Sequence, residues 1–269
     1  MGSDLSIPSR LNFNLNFELV NSKDDANFLL QTAERKDFYL QECYDDEANY
    51  KSRKSMTYMP NQIALQDRTY AYAFLDSLQI PQRLRMDLSK VHIIQLMPSA
   101  DGGMPHTRPE SVICLPDISQ LFSKSTMIHE LWHIHQRKYN MIWLQVFQNM
   151  GWQLWDGEFP EHLEKYRRYN PDTIDCPLWI YNDTWIPVPI FRDISKPKVN
   201  DVEIWFYNPH KKYHVRQIPG EISEYFTNLP PSAYEHPREI TAYMLSEPEK
   251  YQNSSAFKKL IELIGHTSI

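Results

Sequence analysis

The chain has 269 residues, of which 42% are hydrophobic, 13% aromatic and 23% charged. These proportions allow a sizeable core and exclude collagen-like, low-complexity and disordered classes. A formal net charge of -6 and a pI near 5.9 argue against nucleic-acid binding through a basic face, and the short patch Lys51-Ser52-Arg53-Lys54 reads as a solvated loop.

The three cysteines, Cys43, Cys114 and Cys176, are widely spaced and form no C-x-x-C pair, so neither a disulfide framework nor a thiolate zinc site is indicated. No run of about 18 apolar residues appears, and the start lacks a basic segment followed by an apolar core. The expectation is a soluble, cytoplasmic chain with no membrane or nucleic-acid partner, a monomer being favoured.

In chain order, a single domain over 1–269 divides into a helical packing lobe (1–85), a hairpin and central helix (86–140), and a second lobe (141–269) holding a β insertion and a later helix. The alternation Leu11-Asn12-Phe13-Asn14-Leu15-Asn16-Phe17 predicts a strand. Helices are predicted from Asp24 to about Glu42, as one or two pieces, and from Asn61 to Leu78, with Pro81 closing the latter. Val91 to Met97 and Ser111 to Pro116 are β-rich runs that read as a hairpin with a long connection. Between them, Pro105 lacks an N–H and suits a sheet edge.

Asp117-Ile118-Ser119-Gln120 has the spacing of a capping box, predicting a helix from there to about Tyr139. A further apolar helix is predicted from Met141 to Leu154, with Trp143, Phe147, Met150 and Leu154 as a core stripe. Short strands then follow at 178–181, 185–191, 202–207 and 213–218. Pro187 and Pro189 make the second of these an edge. Helices return at 220–228, 237–247 and 254–265, and the whole reads as α+β.

The central helix contains Met127-Ile128-His129-Glu130-Leu131-Trp132-His133-Ile134-His135-Gln136, with the pattern His-Glu-x-x-His. A rotation of about 100° per residue stacks His129 and His133 on one face, spaced to hold one metal ion, with Glu130 beside them. Two imidazole nitrogens and a carboxylate able to deprotonate an activated water are what a catalytic zinc site requires. This chain's usage of histidine and glutamate gives roughly 0.02 chance occurrences of the pattern. Apolar neighbours on most sides predict a buried helix, in which a cation offsets the cost of the polar groups. The competing reading is a core helix whose histidines are satisfied by hydrogen bonds.

His129-Glu130-Leu131-Trp132-His133 resembles the signature of the zincin metallopeptidases. Metzincins would continue with Gly at 136 and His at 139, where this chain has Gln136 and Tyr139. Gluzincins take a Glu from a later helix with a small residue three positions on, and His236-Pro237-Arg238-Glu239-Ile240-Thr241-Ala242-Tyr243 resembles that layout. The resemblance makes Glu239 the expected third ligand, with His236, His106 and Asp156 as the alternatives. It implies an α+β zincin-like fold, a sheet edge beside a buried metal helix, a mostly helical C-terminal part, a Zn2+ cofactor and hydrolysis of peptide or protein substrates with Glu130 as general base. An oxyanion donor is expected from Tyr234, His236, Tyr243 or His106. A sheet edge beside the metal helix would let a substrate add itself as a strand, a plain surface loop being the other reading of that stretch. Two further readings of the chain are a non-catalytic zincin-like binding protein and a helical protein in which the motif is incidental.

Overall fold

The computed structural model describes residues 15–266, so 11–14 of the alternating N-terminal stretch lie outside the described residues. The remainder of that stretch leads into β1 (Asn16–Leu19). α1 (Lys23–Asp37) starts where the Ser22 hydroxyl accepts the Asp25 N–H, and it ends at Phe38, whose left-handed backbone turns the chain into α2 (Tyr39–Asp45). Asp46 then caps α3 (Glu47–Arg53). Ser52 and Arg53 of the basic patch are buried, which corrects the solvated-loop reading. The Arg53 guanidinium is taken up by the Tyr39 hydroxyl, the Tyr169 carbonyl and Asp101.

α4 (Leu65–Ser77) and α5 (Gln82–Asp87) lead to β2 (Lys90–Gln95), β3 (His106–Arg108) and β4 (Val112–Leu115). These strands form one sheet with β1, in the order β1-β2-β4-β3. β1, β2 and β4 are parallel, and only β3 runs antiparallel, on β4. The expected hairpin between the two apolar runs is therefore wrong in its pairing, since His92 lies opposite Val112 in parallel register. The chain between them is long enough for a crossover, and it is β3 that forms a hairpin with β4. Val91, Ile93, Ile94, Val112, Ile113, Cys114 and Leu115 have no exposed surface. Their near-continuous hydrophobicity is that of parallel strands covered on both faces.

The Asp117–Gln120 capping box is present, but it closes a short 3-10 turn, Ile118–Phe122. Extended Ser123 interrupts the chain, and its hydroxyl starts α6 (Lys124–Lys138) by accepting the Thr126 N–H. The long helix expected from Asp117 is thus two elements. α7 (Asn140–Asn149) stops short of Leu154 because Gly151 adopts φ +93° where a Cβ would meet the Asn182 side chain at 2.6 Å. Trp152–Leu154 is instead β5, paired with β6 (Trp179–Tyr181).

α8 (Glu161–Glu164) precedes β6. β7 (Ile186–Phe191), β8 (Val202–Asn208) and β9 (Tyr213–Val215) make an antiparallel sheet in that order, with the proline-bearing β7 at an edge. α9 (Gly220–Ser223), α10 (Pro237–Ser246), α11 (Pro248–Tyr251) and α12 (Ser255–His266) complete an α+β architecture. Among the described residues no helix is long and apolar enough to cross a membrane.

The largest hydrophobic cluster joins Ile93 and Ile113 of the sheet to Leu131 and Trp132 of α6, Trp143 and Phe147 of α7, and Ile240 and Ala242 of α10. Each fully buried side chain of the size of Leu or Phe contributes roughly 1.5–3 kcal/mol. α6 lies between β3 and α10, so its polar face opens toward the start of α10.

Candidate metal centre

His129 and His133 stack one turn apart on α6, with their Nε2 atoms 2.9 Å from each other. α10 brings Glu239 to the same point, Oε2 being 3.2 Å from His129 Nε2 and Oε1 3.4 Å from His133 Nε2. One ligand atom from each of the three lies within 4.8 Å of the others, a group able to hold a metal ion. Glu239 sits in the first helical turn because His236 and Pro237 start α10 immediately before it, the His236 Nδ1 accepting the Arg238 N–H at 3.0 Å. A carboxylate there is favoured by the positive end of the helix dipole.

The orientation of His133 is fixed from behind. Gln136 Nε2 donates to the Arg238 carbonyl and the Thr241 hydroxyl, at 3.0 and 2.9 Å. Its Oε1 is left to accept from His133 Nδ1 at 2.9 Å, so in the neutral ring the lone pair is on Nε2, toward Glu239. Burial pushes the His133 imidazole down, but Glu239 and Asp172 outweigh it and raise its pKa to about 9. The cluster thus favours positive charge at this point.

Glu130 is buried, and its Oε2 has no hydrogen-bond partner among the described residues. Burial raises its carboxyl to about 8, with Asp172 and Glu239 adding and His133 opposing. Glu130, His129 and Glu239 line a cleft of about 320 Å³ together with His106, Arg168 and Tyr243.

The remaining candidates separate cleanly. His236 uses both ring nitrogens, accepting from Arg238 and donating to the Cys176 carbonyl at 2.9 Å. Burial and then Arg238 press its pKa down to about 3. Asp156 is exposed and outside the cleft. The Tyr234 hydroxyl donates to the Phe226 carbonyl at 2.5 Å and is also outside it. Tyr243 and His106 do line the cleft. The Tyr243 ring stands edge-on to His129, with centroids 4.7 Å apart, and burial with Glu239 holds its hydroxyl protonated, at about 12. His106 has both ring nitrogens engaged, Nε2 being 2.8 Å from the Tyr58 hydroxyl and 3.5 Å from Asp101, and Nδ1 3.1 Å from the Met104 carbonyl. Burial lowers its pKa, but Cys114, Asp101 and Asp172 raise it to about 10.

Several residues at the site carry no advance signal in the sequence. Asn170 Nδ2 bridges Glu235 Oε1, at 2.6 Å, and Glu239 Oε1, at 3.2 Å, while the other Glu235 oxygen pairs with Arg168. Gln136 is the exception, since its place three residues after His133 is a helical neighbour position. The expected open sheet edge is also corrected. β3 is the edge strand, but all three of its residues are buried, and both the Thr107 N–H and its hydroxyl donate to Asp172 Oδ1. A side chain occupies the place an added strand would need.

Compared with known proteins, the chain matches no family model, no curated protein and no solved structure.

Proposed function

We propose that this chain is a zincin-like, zinc-dependent metallopeptidase whose metal is held by His129, His133 and Glu239 and whose general base is Glu130. One observation carries the reading: two imidazole nitrogens and a carboxylate converge from α6 and α10, and beside them a buried carboxylate keeps an oxygen without a partner. The donor set suits zinc, and three protein ligands are the number a catalytic site uses while leaving a position open. A purely structural site would be closed by a fourth protein ligand and has no use for a neighbouring base. Bound there, zinc supplies Lewis acidity toward a carbonyl oxygen and makes a water easier to deprotonate.

The protein's own groups divide the remaining work. Glu130 takes a proton from the attacking water and passes it to the departing amine, its Oε2 having no hydrogen-bond partner among the described residues. Tyr243 donates a hydrogen bond to the carbonyl oxygen as charge builds on it. Gln136 keeps the His133 lone pair directed at the centre, and Asn170 restrains Glu239. The test is peptide-library cleavage by the zinc-loaded chain, compared with Glu130→Gln. Turnover should fall by roughly 10²–10⁴ with metal content unchanged, and a zinc-loaded wild type that cleaves no peptide or protein would contradict the proposal.

A further inference from the structure

The segment from Arg167 to Cys176 lines the cleft with Arg168, Tyr169, Asn170, Pro171 and Asp172, and its Asp172 blocks the sheet edge. Its carbonyls are tied down by three arginines: Arg53 donates to that of Tyr169 at 2.9 Å, Arg137 to that of Pro171 at 3.1 Å, and Arg238 to that of Asp172 at 2.9 Å. Asn49 adds two more bonds, accepting the Tyr169 N–H and donating to the Arg167 carbonyl, at 2.9 and 2.8 Å. With Arg53 and Arg238 buried, withdrawing this segment would strand charged donors away from water. It is a fixed wall, and Asp172 on it holds the Thr107 N–H that an extended substrate would otherwise use.

The same wall presents Arg168 to the cleft. The residue is 6% exposed. Of the five N–H groups of a guanidinium, one from Nη2 is committed, to Glu235. Nε is buried and closed to the cleft, so the donors left for a ligand are those of Nη1 and the second N–H of Nη2. Arg168 stands next to the metal group in the hydrogen-bond chain, since Glu235 is joined through Asn170 to Glu239. A guanidinium with uncommitted donors in a desolvated cleft is a carboxylate anchor.

From these two features we infer that the site acts on chain ends: Arg168 binds the C-terminal carboxylate of a short peptide, and the bond cut lies close to that end. The inference rests on the hydrolase reading above. A cleft of about 320 Å³ is at the small end of ligand sites, and the closed edge denies an extended polypeptide backbone pairing along β3. In the step itself, the oxygen of one water joins the acyl carbon, the C–N bond breaks, and the amine leaves with the transferred proton. The products are a shortened peptide with a new carboxylate and a released C-terminal residue or short fragment.

The test uses the zinc-loaded full chain and three N-acetylated peptides of one core sequence. The first ends in a free acid, the second in an amide, and the third continues past an internal Glu to an amidated end. The free acid should be cleaved about 10- to 100-fold faster than the amide, the worth of a charge-assisted bond, and the third peptide should resist. Equal rates for acid and amide, or efficient cleavage of the third peptide, would overturn the inference.

Binding provides a second readout independent of turnover. Calorimetry of a tripeptide acid and its amide on Glu130→Gln should show the acid bound more tightly. Adding Arg168→Gln should bring the two together, and Arg168→Lys should restore part of the gap. Acid-selective binding without turnover by the wild type would sink the hydrolase reading and leave the anchor standing. Turnover indifferent to the C-terminus would do the reverse.

Discussion

α6 carries three histidines, and its two faces treat them in opposite ways. On the face turned toward α10, the His129 and His133 Nε2 atoms converge on Glu239. On the other face, His135 Nδ1 accepts the Trp143 indole N–H at 2.9 Å and its Nε2 donates to Asp87 at 2.7 Å. Both nitrogens of His135 are spent, which makes it a core histidine. Two residues apart, burial presses His135 down to about 4 while Glu239 and Asp172, against burial, raise His133 to about 9. Depth in the protein therefore does not separate a candidate metal ligand from a core histidine. What sets His133 apart is that its outer nitrogen faces Glu239 and His129 while its inner nitrogen is held by Gln136.

The strongest way to break this contrast is to remove one histidine from each face. His133→Ala should abolish stoichiometric metal binding and, with it, the stabilisation that bound metal gives. His135→Gln should keep the metal, and metal content measured on both purified variants decides the matter. A smaller effect is expected behind the ligands. Gln136→Leu frees the His133 ring and Asn170→Ala frees Glu239, and each should weaken metal affinity about 10- to 100-fold in a competition titration.

Smaller again is the core face. His135→Ala leaves the buried Trp143 N–H without its acceptor and takes one donor from Asp87, which keeps Arg83, and should cost about 1–3 kcal/mol. At about 2–4 °C per kcal/mol in a chain of this size, the loss is readable by thermal unfolding with metal content unchanged.

The most subtle effect is on pH dependence. His135 and His236 are pressed below the ordinary histidine value of 6.5, to about 4 and about 3. Between those values and 6.5 the unfolded chain takes up protons that these two folded rings refuse, so their contribution to stability is full above about 6.5 and is lost as pH descends. His135→Gln should flatten the upper part of that acid limb in denaturant midpoints measured from pH 7 to 4. An unchanged slope would show that this ring is not held neutral.

What was readable in advance was local. The i, i+4 spacing of His129 and His133, and the proline that starts α10 just before Glu239, depend on a few neighbouring residues and on helix geometry. Partner choice was not readable, because it is set over long separations. The β-rich runs around Ile93 and Ile113 announce two strands but not their parallel pairing. Nothing near Thr107 tells that Asp172 will close its edge, and Arg53, in a run of basic residues, gives no sign that it is buried against Tyr39 and the Tyr169 carbonyl. The capping box at Asp117 was visible, but not that Ser123 would stop its turn and start a new helix.

Elemental analysis of the purified chain, run beside His129→Ala and His135→Gln, addresses the metal centre most directly. About one zinc per chain is expected in the wild type and in His135→Gln, and none in His129→Ala. A wild type that retains no metal when zinc is supplied, or a His129→Ala variant that binds it as the wild type does, would contradict the assignment of His129, His133 and Glu239 as its ligands.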